Sequence, residues 1–261
     1  MTTTVYDVSQ LHLTSDSRWS AEVCLEDGTY LLYVDNTGFN KLANRLGGVL
    51  VLAGDGELIS KWKAWWTAKG DLDVQNMPSV ALDKIRMVSV MIVSKESGEI
   101  LFDAGPKLAY ADESAEKGRT YLAVFSGSGQ QYAANCWWMN RCSRTAVVSA
   151  AANDPCTGGE VKFINCTNGE NNLQDENFDY TSIKKSLTER GMLMKLADKN
   201  VIPLDQHAQG AEIKDKVANG SIRASAPTGM ESTFKWDSAR LEKLNNAVNK
   251  VAEIESRMAA M

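Results

Sequence analysis

Along the first two thirds of the chain, apolar and polar positions fall into short runs that predict strands broken by two helical stretches. Residues 2–8 and 11–15 are β-prone, and Ser9-Gln10 between them reads as the turn of a tight hairpin. Tyr30-Leu31-Leu32-Tyr33-Val34 and Val49-Leu50-Val51-Leu52 read as a second pair, the latter entered through a Gly47-Gly48 turn. Its unbroken apolar run is the pattern of a strand buried on both faces. Leu58, Ile59, Trp62, Trp65 and Trp66 then recur at helical spacing, predicting an amphipathic helix from about Glu57 to Ala68. A strand at Met87–Val93 turns at Glu96-Ser97-Gly98 and returns through Ile100–Phe102. Tyr121–Phe125 runs into Gly127-Ser128-Gly129, a long helix covers about Gln130 to Ala152, and Glu160–Ile164 reads as one more strand. Strands, helix, strands, helix, strand is the order expected of two packed sheets with helices outside.

The pattern changes after Cys166. Thr167-Asn168-Gly169-Glu170-Asn171-Asn172 is polar and turn-rich, which predicts a boundary between a core of residues 1–168 and an extension of residues 169–261. From Ser238 a terminal helix carries Leu241, Leu244, Val248, Val251, Ile254 and Met258 on one stripe, a face that needs a partner. Either a neighbouring subunit or the chain's own domain would satisfy it.

Composition narrows the function classes. Of 261 residues, 44% are hydrophobic and 23% charged, an ordinary globular balance. A formal charge of −5 offers no basic footprint, so nucleic acid is not an expected partner. No apolar run reaches the length needed to span a bilayer, and the first residues have neither the basic nor the apolar region of a signal peptide. Five cysteines, an odd number without paired spacing, and only two histidines predict reduced thiols, no zinc site, no cofactor and a cytoplasmic setting.

The chemistry begins at Met1-Thr2-Thr3-Thr4-Val5. A threonine hydroxyl is a poor nucleophile until a base takes its proton. Removal of Met1 would give Thr2 a free α-amino group, whose ordinary pKa of about 7.7–8.0 suits that task at neutral pH. The following elements sit beside it in order: Ser15-Asp16-Ser17-Arg18, Phe39-Asn40-Lys41-Leu42, Leu52-Ala53-Gly54, Gly127-Ser128-Gly129 and Asp154-Pro155-Cys156-Thr157-Gly158-Gly159.

Over about residues 2–165 this series resembles the proteasome β subunits, which open T-T-x-hydrophobic and carry A-D-S-R, a lysine segment, M-A-G-G, G-S-G and D-x-x-S-G-G. Asp55 stands in place of the second glycine of the A-G-G turn, Thr157 replaces the usual serine, and the first hairpin is about two residues shorter than usual. The resemblance implies an α+β fold, a four-layer αββα sandwich of the N-terminal-nucleophile hydrolases, with a C-terminal helical extension. It also implies a threonine endopeptidase. In that implied mechanism Thr2 would be the nucleophile and Lys41 a cation that eases alkoxide formation, with Asp16 as the partner of Lys41. The Gly54 N–H would donate to the oxyanion, and Ser128, Asp154 and Thr157 would position the α-amino group and a water. Trp19, Leu52, Gly56 and Ser60 are implied to line the first substrate pocket. The implied partners are other copies in a homo-oligomeric ring, a protein or peptide substrate, and an ATP-dependent unfoldase. Two other readings stay open: an inactive ring subunit, and a hydrolase of the same chemistry acting on a small amide.

Overall fold

The computed structural model describes residues 2–70, 72–83, 85–111, 121–173, 180–225 and 236–260. Met1, whose removal the chemistry calls for, lies outside them. In chain order the first strands are β1 (Thr3–Asp7), β2 (His12–Ser15), β3 (Trp19–Leu25), β4 (Gly28–Val34), β5 (Leu42–Asn44) and β6 (Gly48–Gly54), followed by α1 (Gly56–Trp66). Next come β7 (Val88–Ser94), β8 (Ile100–Ala104), β9 (Leu108–Ala111) and β10 (Tyr121–Gly127), then α2 (Gln130–Asn140), α3 (Ser143–Asn153) and β11 (Lys162–Asn165). The last third carries α4 (Tyr180–Arg190), β12 (Met192–Lys195), β13 (Val201–Pro203), α5 (Gly210–Ala218) and α6 (Ser238–Ala259). The fold is mixed α+β with antiparallel sheets. No helix among the described residues is long and apolar enough to cross a membrane.

Three sheets form, in the orders β11-β2-β1-β10-β9, β13-β12-β4-β3 and β5-β6-β7-β8. Period-two side-chain alternation decides how they stack. On β6, Val49 and Val51 point into one core with Tyr6, Leu13 and Val124 of the first sheet; Leu50 and Leu52 point into another, with Trp62 and Trp66 of α1 and Leu244 and Val251 of α6. On β1, Tyr6 joins the inner core, whereas Val5 faces outward onto Ala133, Trp137, Ala146 and Val147 of α2 and α3. Every residue of β6 and β7 is buried, as the unbroken apolar runs predict.

One pairing and one helix differ from the sequence reading. Strand β4 does not pair with β6; it lies between β3 and β12, while β6 lies between β5 and β7. The partner β3 was hidden because Glu22 and Cys24 are exposed on it and interrupt the apolar run, and β12 comes from 160 residues further along. The long helix expected over Gln130–Ala152 is two helices. Arg141 adopts a left-handed conformation (φ 50°) and Cys142 is extended, with no glycine or proline to announce the break. The Arg141 guanidinium lies over the rings of Trp137 and Trp138, at 4.5 and 4.4 Å from their centroids, an attraction that offsets the cost of the backbone turn.

The segment after residue 169 adds β12 and β13 to the edge of β4 and sets α6 against β8. The middle of the α6 stripe, Leu244, Val248, Val251 and Ile254, is buried on the chain itself, and Arg45 ties the helix down through Glu255 at 2.8 Å. Only Leu241 and Met258, at its ends, remain exposed, which removes the motive for docking this helix on a neighbour.

Asp55, the departure from the A-G-G pattern, has a clear local role. Its carboxylate accepts the Glu57 and Leu58 N–H groups at 3.0 and 3.1 Å and so caps α1. Asp55→Ala is expected to cost about 1 kcal/mol and to lower the melting temperature by about 2–4 °C in a thermal scan.

Candidate active site

β1 and β2 form a hairpin whose open end brings Thr2 beside Asp16, the residue after β2. The Thr2 Oγ1 hydroxyl donates to Asp16 Oδ1 at 2.6 Å, and Lys41 Nζ donates to the same oxygen at 2.7 Å. The Thr3 N–H also donates to Oδ1 (2.9 Å), and the Arg18 and Gly158 N–H groups donate to Oδ2 (3.2 and 3.1 Å). Five donors therefore converge on one carboxylate that is 1% exposed. Lys41 also donates to the Arg18 carbonyl at 2.7 Å, and its amine lies 5.1 Å from the centroid of the Trp19 ring. Burial pushes the Lys41 pKa below its ordinary 10.5, with the Asp16 charge opposing the shift.

A second carboxylate organises the other side of Thr2. Asp154 Oδ2 accepts from Ser128 Oγ at 2.5 Å and from Thr157 Oγ1 at 2.7 Å, while Oδ1 accepts the Cys156 N–H at 3.1 Å. Thr157 Oγ1 in turn shares a 2.7 Å hydrogen bond with Thr3 Oγ1, and Ser128 Oγ reaches the Thr2 carbonyl at 3.5 Å. Gly127, paired with Thr3 across β1 and β10, must be glycine here: its φ is +96° and a Cβ would run into the Thr2 carbonyl.

Six of the seven residues picked out by sequence, Thr2, Asp16, Lys41, Ser128, Asp154 and Thr157, thus stand in one hydrogen-bonded network. Among the described residues that network does not reach Gly54. It closes β6 opposite Val88 with φ +131°, a position where a Cβ would strike the Met87 carbonyl. Of the expected pocket residues, Trp19, Leu52 and Gly56 are buried and Ser60 is half-buried. The sequence reading missed Thr3, which joins the two carboxylate clusters through its N–H to Asp16 and its hydroxyl to Thr157, and Arg18, which supplies both a backbone N–H and a carbonyl. The run of threonines and the S-D-S-R element contained both, but nothing in the pattern distinguished a structural hydroxyl from a site hydroxyl.

The arrangement can do nucleophilic chemistry at oxygen. The Thr2 hydroxyl has a carboxylate within proton-transfer reach and a buried cation sharing that carboxylate. The neighbouring thiol is a poor competitor: burial, with the Asp154 charge adding to it, pushes Cys156 up to about 12. Among the described residues no group of three His, Cys, Asp or Glu side chains is placed to share a metal ion.

His12, also on the hairpin, is held away from this chemistry. Its Nδ1 bonds Ser143 Oγ at 2.7 Å and its ring stacks on Phe163. Burial, reinforced by Arg144, lowers its pKa from 6.5. The folded protein keeps His12 neutral to lower pH than the unfolded chain does, so protons are taken up on unfolding. This contribution to stability is full above about pH 6.5 and is lost as pH falls below it. Thermal scans between about pH 7 and 5 should therefore show a falling melting temperature, with a shallower fall in His12→Gln.

No protein-family model matches the chain, and no curated protein matches it.

Proposed function

We propose that the chain is a threonine peptidase of the proteasome β-subunit kind, a four-layer αββα sandwich that uses Thr2 as an N-terminal nucleophile once Met1 is removed. The observation that carries this reading is the shared Asp16 oxygen, on which the Thr2 hydroxyl and the Lys41 ammonium meet at 2.6 and 2.7 Å. Support for the layering comes from α2 and α3 lying on the outer face of the β1 sheet, with α1 and α6 on the far face of the β6 sheet.

In the proposed reaction Thr2 Oγ attacks the scissile carbonyl, and its proton passes to the freed α-amino group or to Asp16, the acceptor already in contact. Lys41 lowers the cost of the developing alkoxide, and the Gly54 N–H is the proposed donor to the oxyanion. Ser128, Asp154 and Thr157 hold the start of β1 in place while the ester on Thr2 is hydrolysed. Assembly into a ring is part of the proposal. It is supported by the exposure of Trp138, Met139 and Val148 on α2 and α3, apolar side chains that a subunit contact would cover.

One observation favours a second reading, an inactive ring subunit: Thr2 is only 1% exposed. Intact-mass measurement, alone and after incubation with a peptide epoxyketone, separates the two. A species lighter by one methionine that gains one inhibitor supports the peptidase. Retained Met1 without an adduct supports the inactive subunit.

A further inference from the structure

Thr2 and Asp16 are each 1% exposed, and Lys41 and Thr157 are 0% exposed. On the peptidase reading an extended peptide must lie beside the Thr2 hydroxyl, so any segment of the chain that fills the peptide's place there has to withdraw. Tracing outward from the lysine identifies a candidate. Its amine sits over the Trp19 ring, and Trp19 packs against Gly56 at the start of α1. The remaining space around Gly56 is filled from far along the chain: a Cβ on Gly56 would come within 2.8 Å of the Ala224 carbonyl and 2.8 Å of the Tyr180 ring.

The contact has the form of a bound peptide. The Gly56 N–H donates to the Ala224 carbonyl at 3.0 Å, and the Ala224 N–H donates to the Tyr180 hydroxyl at 3.1 Å. Residues 221–224 belong to no helix or sheet ladder, yet Ala224 is 2% exposed. The segment is otherwise tied by the Ile222 N–H to the Lys216 carbonyl (2.9 Å), by the Ser221 N–H to Asn219 Oδ1 (2.9 Å), by Arg223 Nε to the Gly220 carbonyl (2.7 Å) and by the partly exposed Arg223–Glu57 pair (3.3 Å), with Ile222 packed at the edge of the core. Backbone pairing to an unladdered N–H, with a side chain in an apolar pocket, is how extended peptides are captured by folded proteins. Three of the segment's ties run only to residues 216–220 just before it, and with no ladder it can leave Gly56 without breaking a sheet.

We infer that residues 221–224, clasped by Tyr180, are an internal strap that occupies the place of an extended peptide on Gly56 and must be displaced before substrate reaches Thr2. The inference rests on the peptidase reading for what the strap excludes. Apparent affinity for a peptide scales with the fraction of molecules whose strap is open. Tyr180→Phe removes the clasp on Ala224 while keeping the ring, and Arg223→Glu turns the ion pair with Glu57 into a repulsion.

The test is a fluorescence-polarisation titration of a fluorescein-labelled Leu-Leu-Val-Ala tetrapeptide amide against full-length protein. It is run in a Thr2→Ala background, so that no chemistry is needed for the readout. The double variant Tyr180→Phe/Arg223→Glu is expected to bind about tenfold more tightly than its parent, the shift that loss of one such hydrogen bond and one exposed pair can produce. A second variant with residues 221–224 replaced by glycine should do the same without touching the Tyr180 packing. Unchanged affinity in both overturns the strap. Reactivity of Thr2 towards a small β-lactone, measured separately by intact mass in the Tyr180→Phe/Arg223→Glu protein with Thr2 intact, reports on the nucleophile with the strap released. Labelling without a gain in peptide binding leaves the peptidase and removes the strap; a gain in binding without labelling does the reverse.

Discussion

Asp16→Ala is expected to destabilise the protein by about 3–5 kcal/mol, the cost typical of stranding one member of a buried ion pair. Lys41 has nowhere to go: its side chain is 1% exposed, and its other contacts are the Arg18 carbonyl and an aromatic face. The Thr3, Arg18 and Gly158 N–H groups lose their acceptor at the same time. Urea denaturation should show a lower midpoint, and a thermal scan a melting temperature reduced by about 10 °C. Removing the charge from both sides, in Asp16→Ala/Lys41→Met, should recover a large part of the loss, because the uncompensated ammonium is gone. If the double variant is no more stable than Asp16→Ala, the stranded lysine is not the source of the penalty.

Thr2→Ala is expected to abolish the epoxyketone adduct and to lower peptide hydrolysis by a factor on the order of 10⁴ or more, as removal of a covalent nucleophile does elsewhere. Thr2→Ser should keep the adduct, since it keeps the hydroxyl that bonds Asp16 Oδ1. Thr2 is one of five donors on Asp16, so stability should change little in either variant, and urea midpoints will show whether it does. A Thr2→Ala protein that still cleaves peptides at the original rate would remove Thr2 from the mechanism and with it the proposed function.

What the sequence made legible follows from how local each signal was. Strands β6 and β7 are buried on both faces, so their apolar runs were unmistakable, and the stripe of α6 gave its helix at once. Asp16, Lys41 and Asp154 were singled out by resemblance, through Ser15-Asp16-Ser17-Arg18, Phe39-Asn40-Lys41-Leu42 and Asp154–Gly159 taken in order, because each run alone is too short to separate a site residue from an ordinary surface or turn residue. Features set by distant partners were not legible. Nothing at Ala224 or Tyr180 signals that they close over Gly56, and the edge of β4 is filled by β12 only after four α-helices and a change of composition. The break between α2 and α3 rests on one arginine lying over two tryptophan rings, a contact invisible to a rule that looks for glycine and proline.

The pairing of β1 with β10 has a consequence for the chain as it is made. Thr3 finds its partner in Gly127, so the first strand lacks one neighbour until more than a hundred further residues have been synthesised. Its early partner β2 offers only a two-stranded hairpin, which is marginal in water. At about 5–20 residues per second, the leading end of a nascent chain then waits on the order of ten seconds before the sheet can close over it. On the proposed function, that is the interval in which an aminopeptidase working near the ribosome would remove Met1, before the finished fold encloses Thr2.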